Sequence, residues 1–195
     1  MIIGLTGGIA TGKSNVSKYL NQRGFYIVDA DKITHLVQGK GQPGLHAMIQ
    51  HFGKQYLNSD QTLNRRKLGH FVFTHPQELR DLVRIIDPFI RNGIVTELKR
   101  DCRTSKHVVL DAPTLFESGY QYLVDKILVV SCDPVIQLKR VMLRDHLSIS
   151  NAEARIDSQW PLSIKERLAD WVINSDGTKQ QTLSQVKELI DCHQI

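Results

Sequence analysis

The run Gly7-Gly8-Ile9-Ala10-Thr11-Gly12-Lys13-Ser14 fits GxxxxGK[ST], the spacing of a phosphate-binding P-loop. The chemistry needs each part. Glycines let the chain turn tightly and bring backbone N–H groups up to phosphate oxygens. A helix that follows points its positive end at the same anion. Lys13 is expected to reach the β- and γ-phosphates of a nucleotide, and Ser14 to ligate Mg²⁺ through its hydroxyl. Gly8, Ile9, Ala10, Thr11, Gly12, Lys13 and Ser14 are therefore candidate nucleotide-binding residues. The setting agrees: an apolar run, Met1–Thr6, precedes the loop, and helical spacing from Ser14 to Leu20 follows it.

Such a loop serves kinases, GTPases and motor-type ATPases alike. The chain has no NKxD guanine-reading motif. The apolar run Val108–Leu110 ends on Asp111, but Ala112-Pro113 follow where a large ATPase would show Asp-Glu. A small kinase needs a carboxylate near the acceptor hydroxyl and arginines over the transferring group. Asp31, just after the apolar run Phe25–Val28, is the candidate base. The competing reading for Asp29 and Asp31 is capping of the next helix. Arg140 and Arg144 are four apart, on one helical face, in the polar helical stretch Val135 to Leu168. That stretch is the candidate lid, and Ser150 with Glu153 has the spacing of a capping box inside it.

The elements that must position these residues are short and apolar. Met1–Thr6, Phe25–Val28, Val108–Leu110, Ile127–Val130 and Trp171–Ile173 read as strands, separated by helical segments. The pattern predicts an α/β fold: a P-loop NTPase-type parallel sheet of about five strands flanked by helices, with a helical insertion and a helical lid. Ligands gather at the carboxyl ends of such strands, where Asp31, Asp111 and Asn174 fall, and Asn174 joins the nucleotide-side candidates. Residues 32–107 read as largely helical, with breaks at Gly39–Gly44, His75-Pro76 and Asp87-Pro88.

At 195 residues the chain is one domain, or one with insertions. Hydrophobic residues at 41% and charged residues at 23% exclude extended disorder and collagen-like structure. Met1–Gly12 is too short and Gly-rich to span a bilayer and lacks a signal peptide's cationic start, so a cytosolic protein with no membrane partner is expected. The net charge of +5 is uneven: residues 32–107 hold 13 Lys+Arg against 6 Asp+Glu. This suits an anionic partner, either a small polyphosphate or nucleic acid, or else a solvated helical surface. No arginine-rich tail, RNP-like motif or helix-turn-helix signal favours nucleic acid. Cys102, Cys132 and Cys192 form no CxxC pair and read as reduced thiols. No HExxH occurs, and the pairs His46/His51 and His70/His75, each five apart, are assigned no metal.

These residues together resemble the dephospho-CoA kinase family. GLTGGIATGKS resembles its GLTGGIGSGKS, and Val28-Asp29-Ala30-Asp31 its VDAD. Arg65, Leu68, Val72 and Phe73 match a helical pattern, and Pro88-Phe89-Ile90-Arg91 its PxIR. Asp111 to Glu117 resembles its PLLFE segment, Gln137, Arg140, Arg144, Arg155, Ile156 and Gln159 its lid, and Ala169 to Asn174 its ADxVIxN. The resemblance implies a nucleotide-binding core (1–31, 108–134 and 169–195), a helical dephospho-CoA-binding domain (32–107) and a lid (135–168). It implies ATP with Mg²⁺ as co-substrate and transfer of the γ-phosphoryl group to the acceptor's ribose 3′-hydroxyl. It makes Asp31 the base and Arg140 and Arg144 lid residues near phosphate or adenine that join Lys13 in stabilising charge on the transferring group, and it sets Arg91 with Leu115-Phe116-Glu117 on the acceptor side. The rivals are a nucleoside or nucleotide kinase on the same fold and a P-loop regulatory or nucleic-acid-binding protein.

Three departures from the family pattern stand out. Ala10-Thr11 replace Gly-Ser, Thr114 replaces a leucine, and Asp87 replaces the histidine before PxIR. Asp87 either caps a helix starting at Pro88 or pairs with Arg91, and the Asp-Pro order favours the cap. Lys13→Ala is expected to abolish Mg²⁺-dependent turnover while leaving the protein folded, as activity assays and circular dichroism would show. Robust transfer by that variant, or transfer indifferent to EDTA, would remove the P-loop assignment.

Overall fold

The computed structural model describes residues 1–101 and 107–195. Cys102 and part of the expected 32–107 segment lie outside the described residues. The apolar runs form strands β1 (Ile2–Gly7), β2 (Tyr26–Asp29), β3 (Val108–Asp111), β4 (Lys126–Ser131) and β5 (Trp171–Asn174). They make one parallel sheet in the order β2-β3-β1-β4-β5. β1 lies at its centre, with Leu5 in register with Asp111 on one side and Leu128 on the other. Its residues Ile3 to Gly7 are buried, as a strand covered on both faces requires. Since the strands run one way, Gly7, Asp111, Ser131 and Asn174 end on one edge of the sheet.

Two compact units divide the chain, Met1–Val28 with Leu98–Ile195, and Asp29–Glu97. In the first, α1 (Lys13–Gln22) and α9 (Lys179–His193) pack together against the sheet. Val16 and Leu20 of α1 and Val186 and Ile190 of α9 join Ile3, Leu5, Val109, Leu128, Val130 and Ile173 in one core. The same unit contains α6 (Pro134–Asp145), α7 (Ile149–Asp157) and α8 (Leu162–Arg167), the stretch expected to form a lid. The second unit is helical, with α2 (Ala30–Val37), α3 (Pro43–Phe52), α4 (Arg65–Thr74) and most of α5 (Pro76–Asp101). There α3 comes close to α2 because Gly44 has no side chain: a Cβ would lie 2.6 Å from the Val37 carbonyl oxygen.

The expected break at Asp87-Pro88 does not occur, because α5 runs through Pro88. An interior proline removes one backbone hydrogen bond and costs about 3 kcal/mol. The helix also buries Ile86, Ile90, Ile94 and Leu98, one residue per turn along a single stripe. Each such side chain contributes about 1.5–3 kcal/mol, so packing outweighs the proline. Asp87 is therefore no N-cap. It sits in mid-helix with Arg91 one turn on, Arg91 Nε lying 3.4 Å from Asp87 Oδ2. Pairing, the less favoured reading, is the observed one. The capping box at Ser150 is also absent. Ser148 caps α7, accepting the Asn151 N–H, and Ser150 lies inside the first turn. A capping box instead opens α9, where Thr178 and Gln181 hydrogen-bond reciprocally. Among the described residues no helix is long and apolar enough to cross a membrane.

Pro88→Ala restores a helical N–H at a position the stripe already holds in place. It is expected to raise stability by up to about 3 kcal/mol, read as a higher urea midpoint. A lower midpoint would mean that the proline shapes α5 for packing.

Candidate active site

The P-loop leaves β1 at Gly7 and enters α1 at Lys13, and Gly12 makes the last turn with a φ of 86°. That left-handed conformation suits glycine, which has no Cβ to clash. The loop has little room. A Cβ on Gly7 would lie 2.5 Å from the Val130 carbonyl oxygen, and one on Gly8 2.5 Å from Gln137 Nε2. Its backbone is held from outside. Ile9 donates its N–H to Gln159 Oε1 (2.8 Å), and its carbonyl accepts from Gln137 Nε2 (2.9 Å). The Thr11 hydroxyl donates to the Gly8 carbonyl at 2.9 Å, and the Ser175 hydroxyl donates to the Thr11 carbonyl at 2.7 Å. Lys165 donates to the Gly7 carbonyl at 3.3 Å.

Lys13 forms an ion pair with Asp111, the carboxylate that ends β3. Ser14 is exposed on the first turn of α1. A hydroxyl there and a carboxylate held at the neighbouring Lys13 are the hard oxygen donors that Mg²⁺ prefers, so the residues present fit that ion. In the sequence Asp111 is a strand-terminal acid, and only the fold brings it to Lys13.

Arg140 donates to the Ser175 hydroxyl (3.1 Å) and carbonyl (2.6 Å), so it lies on the loop after β5. Arg144 instead holds Asp145 by two bonds of 2.8 and 2.9 Å, and Arg155 pairs with the same carboxylate. The Arg144 hydrogen bond holds Asp145 below the ordinary carboxylate range and raises Arg144 in turn. The two arginines share a helix but differ in partners. Asn174 donates to Asp176 (2.7 Å), and Gln185 Oε1 accepts its backbone N–H. That bond from Asn174, joined by the Asp133 N–H, keeps Asp176 ionised below its usual range. Asn174 also lines an open groove with Gly177, Thr178, Gln181 and Gln185.

Leu115 and Phe116 are buried, and the Phe116 ring lies parallel to that of Trp160 with centroids 6.2 Å apart. Glu117 pairs with Lys165 at 2.7 Å and accepts the Trp160 N–H at 2.9 Å. In the helical unit, Asp29 is the N-cap of α2, accepting the Lys32 N–H at 3.0 Å. The capping alternative thus belongs to Asp29, and Asp31 is an exposed first-turn residue. Arg91 stands beside Asp87. His51 lies within 4.8 Å of Glu78 and Asp81 by their ligand atoms, but Gln77 and Arg84 bind both Asp81 oxygens. Burial pushes the Cys132 thiol up, which keeps it protonated, and Cys192 is exposed.

Residues 1–181 match the family model described as dephospho-CoA kinase. The chain belongs to the dephospho-CoA kinase family. The dephospho-CoA kinase of Lactiplantibacillus plantarum is 45% identical over 193 residues, covering 96% of this chain and 98% of that protein. That of Enterococcus faecalis is 37% identical over 190 residues, covering 97% and 96%. Among solved structures, a Thermus thermophilus protein superposes with a TM-score of 0.82 at 28% identity, covering 98% of this chain and 96% of that one. The Campylobacter jejuni dephospho-CoA kinase gives 0.65 at 28% identity, with 96% of each chain covered. A Bacteroides thetaiotaomicron shikimate kinase, at 13% identity and a TM-score of 0.53 over 100% of this chain and 99% of its own, shares the fold.

Within this family fold, sequence reasoning missed Lys165 and Ser175 as supports of the P-loop. Gln137 and Gln159 were legible only through family likeness. The two loop glycines should respond differently to a methyl group. Gly7→Ala meets a backbone carbonyl that cannot give way, and should cost about 1–3 kcal/mol of stability in a denaturant titration. Gly8→Ala meets the end of a flexible side chain. It should cost less stability but displace Gln137 and lower turnover. Equal stability losses would mean that the sheet yields at Val130.

Proposed function

We propose that this family member transfers the γ-phosphoryl group of ATP to the ribose 3′-hydroxyl of dephospho-CoA, giving CoA and ADP. The observation that carries the reading is a P-loop with Lys13 against the strand-terminal Asp111, in a chain that matches the family over residues 1–181. Loop amides between Gly8 and Ser14, other than those of Ile9 and Thr11 that hold the loop, bind the ATP phosphates together with the α1 N-terminus. Lys13 exchanges Asp111 for the β- and γ-phosphoryl oxygens and balances charge as it moves between donor and acceptor. Ser14, with Asp111 alongside, would hold Mg²⁺, which when bound supplies Lewis-acid neutralisation of phosphate charge. Arg140 and Asn174, at the loop after β5, serve the nucleotide. Arg144 offers a planar fork to a phosphate once it leaves Asp145.

In the same reading Asp31 orients the acceptor hydroxyl and takes its proton. The helical unit binds dephospho-CoA, with Arg91 serving its pyrophosphate, and Leu115-Phe116-Glu117 are assigned to the acceptor in the same reading. The basic surplus of residues 32–107 suits that anionic acceptor. The 135–168 segment acts as the lid that excludes water and suppresses ATP hydrolysis. Both substrates are small and water-soluble, consistent with work in the cytoplasm.

ADP release assayed with dephospho-CoA, adenosine, CMP and polynucleotide in turn should be stimulated by the first alone. Stimulation by another acceptor would reassign the substrate. Asp31→Asn should lower kcat about 10²–10⁴-fold with the Kd for ATP little changed. A collapse of ATP affinity with kcat intact would make Asp31 a structural residue.

A further inference from the structure

Lys165 has no exposed surface, the deepest burial of any charged side chain among the described residues. An ammonium group has three N–H donors and no acceptor. All three find partners: the carbonyls of Gly7 at 3.3 Å and Pro113 at 3.0 Å, and Glu117 Oε1 at 2.7 Å. Buried ion pairs are poor devices for stability, and apolar residues of similar size often replace them without loss. This one is not built for stability alone, since the other oxygen of Glu117 is buried without a hydrogen-bond partner.

The position of the three acceptors suggests another role. β1 and β3 are neighbours up to Leu5 and Asp111, and their last ladder bond runs from the Ala112 N–H to the Leu5 carbonyl. Beyond it they part. β1 turns at Gly7 into the P-loop, while Pro113 opens the segment that carries Leu115, Phe116 and Glu117. Lys165 reaches into this fork from α8 and bonds a carbonyl on each branch. The Thr6 hydroxyl spans the same gap to the Pro113 carbonyl at 3.1 Å. An apolar residue could fill the space but could not fix two carbonyls relative to each other.

We propose that Lys165 is a positioning residue that sets the separation between the P-loop and the 113–117 segment, and so the alignment of donor and acceptor. The proposal rests on the reading of those two loops as donor and acceptor sides. Lys165 meets the P-loop only at the Gly7 carbonyl, where β1 ends, and bonds neither an N–H group of the loop nor Lys13, so ATP affinity should largely survive its loss. Alignment should not, and water would then compete with the misplaced acceptor hydroxyl.

The test is a double-mutant cycle of Lys165→Met and Glu117→Gln, measuring melting temperature, kcat, Kd for ATP, and ADP released per CoA formed. Misplacement of about 1 Å can cost on the order of 10²-fold, so Lys165→Met is expected to lower kcat about 10–100-fold, keep Kd for ATP within about threefold, and raise ADP above CoA. Its melting loss should shrink in the Glu117→Gln background, where no buried carboxylate is left unpaired. Its kcat loss should stay the same there, because it arises from the two carbonyls. A kcat loss that vanishes together with the stability loss would overturn the proposal, as would wild-type turnover with one ADP per CoA. Wild-type turnover with dephospho-CoA checks the activity itself, so a defect confined to the Lys165 variants bears on this residue alone.

Discussion

A loop can offer to an anion only those amide groups that it does not use to hold its own shape. That constraint organises the sheet unit. The P-loop is walled by the Val130 carbonyl and held by side chains of Gln137, Gln159, Lys165 and Ser175. These come from α6, the turn before α8, α8 itself and the loop after β5. Each hydrogen bond contributes only about 0.5–1.5 kcal/mol net, but a buried polar group left without one costs about 1–3 kcal/mol. The loop's shape is thus a property of the whole unit rather than of its eight-residue motif. The segment expected to be a separate lid supplies three of these supports, which explains why it belongs to the same compact unit as the sheet.

The parallel sheet does the complementary work. It brings the ends of β1, β3, β4 and β5 to one edge, so that Gly7, Asp111, Ser131 and Asn174 meet there without any of them being close in sequence. Phosphoryl transfer asks little covalent chemistry of a protein and much positioning of charge. Lys13 on Asp111, Arg140 on Ser175 and Arg144 on Asp145 are charges held in set places by neighbours. Two of the three partners are carboxylates, which a phosphate can replace.

The strands were legible because burial on both faces makes them short, continuous apolar runs, and the P-loop because its chemistry is packed into local spacing. Local sequence does not decide where a distant contact does. Pro88 reads as a helix end because the cost of proline is local, whereas the stripe of Ile86, Ile90, Ile94 and Leu98 that outweighs it is a matter of packing. Ser150 and Ser148 both suit a cap, and only the backbone conformation at Ser148 selects it. The pair Asp29 and Asp31 is similar: the strand's end, not the residue type, makes Asp29 the cap. Lys165 left no local signal, since one lysine in a polar helical stretch looks like any other until its burial is known.

In the proposed reaction a phosphoryl group moves from ATP to one hydroxyl of one acceptor. The most direct measurement is ³¹P NMR of the products formed from ATP and dephospho-CoA with Mg²⁺. A new phosphomonoester resonance on the ribose 3′ position, growing in step with ADP, is expected. Accumulation of ADP with inorganic phosphate and unchanged dephospho-CoA, or a phosphate at another position, would contradict it.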